Sequence, residues 1–112
     1  MASEMANTRE YRETGGAGIG YSYLLRSNFT FPFARLVATE SHIALSVLWG
    51  LAGKYEFDKG SIERISKCKG LISTGLRIFH TKTGYPPFIV FWTFSFDWLK
   101  GELERLGWEV EG

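Results

Sequence analysis

The 112-residue chain is 45% hydrophobic and 22% charged with a formal net charge of +1, a globular balance that argues against general nucleic-acid binding. Its single cysteine, Cys68, excludes an internal disulfide framework. Four Trp, five Tyr and nine Phe supply enough bulk for one β-rich core at this length.

Residues 1–20 (MASEMANTREYRETGGAGIG) are charged, rich in Gly and without an apolar h-region, so they read as a flexible N-terminal arm rather than a signal peptide. Their GGAGIG run lacks the GxGxxG spacing, the preceding strand and the following helix of a dinucleotide loop. Removing residues 1–18 should then move the thermal midpoint by no more than a few degrees. Residues 21–112 are expected to form one domain. Tyr21, Tyr23 and Leu25 alternate with Ser22 and Leu24 as a short edge strand or packed lead-in.

Residues 33–39 read as a strand with Pro32 at its start, where a missing N–H costs little. Glu40-Ser41-His42 is a polar turn, after which Ile43, Leu45, Val47 and Trp49 share one face, giving a hairpin. Gly50 and Gly53 bracket the next turn; Tyr55 and Phe57 then alternate with Lys54, Glu56 and Asp58. Asp58-Lys59-Gly60 turns the chain into a segment bearing Ile62 and Ile65, and residues 71–75 are loop-like. Leu76, Ile78 and His80 oppose Arg77, Phe79 and Thr81 on the next strand.

Residues 86–108 organise the whole. Phe88 to Phe94 is dense enough in large apolar residues to be a strand covered on both faces, and an amphipathic segment follows it directly. Ser95 is placed to cap a helix, Asp97 lies in its first turn, and Leu99, Leu103 and Leu106 form one stripe. Gly107 suits the C′ position, with Trp108 folding back on the last turn. The 86–99 run is broken by Ser95 and Asp97 and falls short of the ~20 residues of a membrane span, so no transmembrane segment and a cytoplasmic location are expected.

The fold class is therefore α+β: a bent antiparallel sheet or split barrel of about six to seven strands capped by one C-terminal helix. FPFARLVAT (residues 31–39), YEFDKGSIERI (residues 55–65), GLRIFHT (residues 75–81) and PPFIVFWTF (residues 86–94), with the helix behind them, resemble the bacterial pleckstrin-homology-like (PH-like) domains. The resemblance covers about residues 28–110 and implies seven bent strands closed by a terminal helix. In PH domains that bind phosphoinositides, basic residues cluster between the first two strands. The corresponding turn here, Glu40-Ser41-His42, has no Lys or Arg.

No catalytic, metal or nucleotide motif stands out, and no cofactor is implied. Charge is unevenly spread: residues 54–82 hold seven Lys/Arg against three Asp/Glu, and residues 97–112 two against five. The candidate binding residues are Arg64, Lys67, Lys69 and His80. The first three, with Lys59 as a possible fourth, could meet an anionic membrane surface, although a solvated strand face is the plainer reading. His80 would be the general base of a small enzyme or small-molecule pocket between sheet and helix, but it lacks an acid, metal or nucleophile as companion. Cys68 between two lysines could have a lowered thiol pKa, again without a partner at a diagnostic spacing. The favoured expectation is a non-catalytic interaction module that engages a protein partner or its own copy through a sheet edge, loops or an apolar face.

Overall fold

The computed structural model describes residues 9–112. Seven strands form one antiparallel sheet: β1 (Glu10–Gly20), β2 (Arg26–Thr39), β3 (His42–Val47), β4 (Gly53–Asp58), β5 (Ile62–Lys69), β6 (Thr74–His80) and β7 (Phe88–Thr93). Helix α1 (Phe96–Arg105) follows. Sheet order is β4-β3-β2-β1-β7-β6-β5, curled into a half-barrel. Two short 3-10 turns, Leu48–Gly50 and Lys59–Ser61, connect β3 to β4 and β4 to β5.

The expected flexible arm is corrected by this order: from Glu10 onward it is β1, the middle strand, paired with β2 on one side and β7 on the other. The glycines that suggested mobility are what lets three backbones converge. A Cβ on Gly15 would collide with the Trp92 carbonyl oxygen, and one on Gly16 with that of Phe29. Residues 1–8 of the arm lie outside the described residues. Tyr21 to Leu25 is not a strand but the β1–β2 connection, and Pro32 lies inside β2 rather than at its start. Between Gly15↔Ala34 and Ala17↔Phe29 the register jumps, so four β2 residues, Thr30 to Phe33, stand opposite Gly16 alone. From this bulge onward β1 pairs with β7 as well as with β2, and so joins the β4-β3-β2 half of the sheet to the β7-β6-β5 half.

Strand β7 is buried on both faces, as its composition requires. Ile89 and Phe91 face the main core with Leu36, Leu45, Phe57 and Ile78, and α1 closes that core with Phe96, Leu99, Leu103 and Leu106. Phe88, Val90 and Trp92 form a second cluster on the opposite face. No helix covers it. Tyr23 packs edge-on to Phe88, the Arg77 guanidinium lies 4.7 Å from the Phe88 ring centre, and Arg26 and Cys68 flank the rest.

The end of α1 has the expected geometry: Gly107 at φ +101°, with Trp108 N–H donating to the Leu103 carbonyl and Gly107 N–H to that of Glu104. Trp108 is buried and its Nε1–H donates to the Thr39 carbonyl at 2.7 Å, tying the helix end to the β2–β3 turn. Ser95 stands at the N-cap, but its side chain makes no capping bond; its own N–H donates to Thr93 Oγ1 instead. Gly101 is exposed in mid-helix, and a Cβ there would meet nothing within 4 Å. Gly101→Ala should therefore stabilise the protein by about 1 kcal/mol in urea unfolding.

Candidate functional site

Strand pairing places four of the turns at two ends of the sheet. The pairs Val47↔Gly53 and Lys69↔Thr74 bring the β3–β4 and β5–β6 turns to one end, and Thr74↔Thr93 brings the end of β7 there too. The pairs Ala38↔Ile43 and His42↔Asp58 place the β2–β3 and β4–β5 connections at the other. The first end is apolar. Leu71 and Ile72 in the β5–β6 turn are 94% and 93% exposed, and Trp49 in the β3–β4 turn is 79% exposed.

The β2 bulge joins these turns. Phe33 packs edge-on to Trp49 with ring centres 6.2 Å apart, and Phe31 packs on Phe94 at 6.0 Å. Between the bulge and the β5–β6 turn lies a groove of about 210 Å³, walled by Phe29, Phe31, Leu71 and Ile72 and floored by Gly16 and Trp92. A second hollow of about 250 Å³ lies between Pro32, Phe33, Arg35 and Trp49. Trp49 does not continue the alternation of Ile43, Leu45 and Val47. The strand ends at Val47, and Leu48 and Trp49 take left-handed φ values of 50° and 56° in a turn closed by Ala52 N–H on the Val47 carbonyl. A non-glycine residue there costs on the order of 1 kcal/mol, and it leaves the indole in solvent instead of in the core.

The residues singled out in the sequence are not brought together. Arg64 lies over the Phe79 ring and bridges Glu111 at 3.2 Å, whereas Lys67 lies over Phe96. Lys69 pairs with Thr74 at one end of the β5–β6 ladder, while His80 pairs with Ile62 at the other. His80 packs on Phe57 and Tyr85; its Nδ1 accepts from Lys82 N–H at 3.0 Å, and its Nε2 lies 2.9 Å from the Pro86 carbonyl. A carbonyl only accepts, so Nε2 carries the proton and both nitrogens are occupied in holding the β6–β7 loop.

Burial pushes the Cys68 thiol up against the opposing pull of Arg77 and Arg26, so the lysines beside it in sequence do not make it a thiolate. Lys59 hydrogen-bonds the Gly107 carbonyl and lies over Trp108. Among the described residues no group of three His, Cys, Asp or Glu could hold a metal ion, and no helix is long and apolar enough to cross a membrane.

Both sheet edges carry caps. On β4, Glu56 N–H donates to Tyr85 Oη at 3.1 Å and the Glu56 carbonyl accepts from Lys82 Nζ at 3.0 Å. On β5, Lys67 N–H donates to the Glu111 carbonyl and Glu111 N–H to that of Ile65, laying the C-terminal segment along the edge.

The apolar end is what strand-by-strand reading missed. Its signal was present: FTFPF sets a proline inside an aromatic run, and Leu71-Ile72 places two aliphatic residues in a Gly/Ser turn, where polar residues are the rule. Compared with family models, with characterised proteins and with solved structures, the chain matches none.

Proposed function

We propose that the chain is a non-catalytic interaction module of PH-like type that works through the apolar end of its half-barrel. The strand order and the terminal helix support the PH-like part of this reading. The observation that carries the working surface is the gathering of exposed apolar side chains at one end: the Phe31–Phe94 and Phe33–Trp49 contacts tie the end of β7 and the β3–β4 turn to the β2 bulge, and Leu71 and Ile72 of the β5–β6 turn wall the groove beside it. Capped edges favour this end over strand addition as the route of association. A protein partner or a second copy of the chain is the occupant that the sequence suggests.

The paired substitution Leu71→Ser with Ile72→Ser tests the surface directly, because side chains so exposed contribute little to the fold. The intact protein should associate at high concentration in a salt-insensitive manner by light scattering, and should bind an apolar dye such as anilinonaphthalene sulfonate. Both should fall in the double variant. Association and dye binding unchanged by the substitutions would overturn this reading.

A further inference from the structure

We infer that the occupant of the apolar end is the interface of an anionic lipid bilayer, an inference that rests on that end being the working surface. The first support is charge. Three stretches of the chain contain no Asp or Glu: residues 14–39, 41–55 and 64–96. These are the stretches that carry Phe31 and Phe33, Trp49, and Leu71, Ile72 and Phe94. The cations within them include Arg35 and Lys69, both exposed, and neither forms an ion pair among the described residues. Arg26 and Arg35 line the two hollows, whose walls hold no carboxylate. Of the acids that border these stretches, Glu13 accepts from the Tyr11 and Thr93 hydroxyls, and Asp97 lies in the first turn of α1. An apolar ridge rimmed by unpaired cations matches an interface of acyl chains beneath anionic head groups.

Shape is the second support. Leu71 and Ile72 stand almost wholly clear of the protein at a hairpin tip, with Trp49 on a separate turn. A bilayer surrounds a protrusion on all sides, and its interfacial zone favours indole and other aromatic side chains.

The test uses the full chain with vesicles of phosphatidylcholine alone and of phosphatidylcholine with about one-third phosphatidylserine, followed by co-flotation and Trp emission. The expected result is association with the anionic vesicles and a blue shift of emission. Leu71→Ser with Ile72→Ser should lower partitioning by about tenfold or more, since each buried methylene contributes to insertion. Arg35→Glu with Lys69→Glu should weaken binding to anionic vesicles and leave the apolar dye signal intact. Absence of vesicle binding at low salt overturns the inference. So does binding that ignores the Leu71/Ile72 change but vanishes on Arg64→Glu with Lys67→Glu, which would indicate a charge-only site elsewhere. If vesicles are ignored while the same double variant still loses self-association, the occupant is a second copy and only the lipid inference falls. If neither readout responds, both readings fall.

Discussion

A chain lacking residues 1–18 is expected to lose its cooperative thermal transition. The deletion takes β1 through Gly18, and with it every β1–β2 pair except those of Ile19 and Gly20. It also removes three of the five β1–β7 pairs and the fully buried Ala17. What is left is two three-stranded fragments, β4-β3-β2 and β7-β6-β5, with unpaired strands facing each other across the gap. Each buried backbone group left without a partner costs about 1–3 kcal/mol, and several of them together exceed the ~5–15 kcal/mol by which a domain is stable. Circular dichroism on heating is the measurement. A cooperative transition within a few degrees of the intact protein would mean that β1 is not part of the folded sheet.

The same segment shows where sequence reasoning succeeds and where it stops. Strands with alternating or dense apolar residues were legible because burial writes itself into composition: Ile43, Leu45 and Val47 all face the core, and β7 is covered on both faces. The helix was legible from its stripe and its terminal Gly107-Trp108. Strand β1 was not, because its contribution is backbone rather than side chain. Gly15, Gly16 and Gly18 let β2 and β7 close in on either side, and a run of glycine carries no periodicity to detect. The second cover of β7 was also hidden, since it consists of the arginines and a tyrosine of neighbouring elements, whose apolar stems and ring faces do the covering. The apolar end escaped for a related reason. Alternation places Phe33 and Trp49 within strands, and only the β2 bulge and the left-handed turn at Leu48 and Trp49 turn them outward. The candidate site depends on irregularities of the backbone, and periodicity is blind to them.

Trp92→Ala is expected to cost about 3–5 kcal/mol, the range for truncating a large buried aromatic. Trp92 is only 9% exposed although it faces away from α1. Its space is made by small neighbours: a Cβ on Gly75 would run into Val90 and the indole, and one on Gly70 would lie 3.0 Å from it. With two of its neighbours already trimmed to glycine, less side-chain bulk is at hand to fill the void. The indole N–H donates to Asn28 Oδ1 at 3.2 Å, and Arg26 approaches the ring at 5.7 Å, so the truncation also loosens the start of β2. Trp92→Phe separates the contributions: it keeps an aromatic ring and removes the hydrogen bond, and should cost about 1 kcal/mol for that bond plus the smaller void. Urea unfolding followed by circular dichroism reads both variants, with the midpoint lowered and the slope unchanged. A loss below about 1 kcal/mol for Trp92→Ala would mean that the outer cluster contributes little to stability and that β7 is held from its α1 side alone.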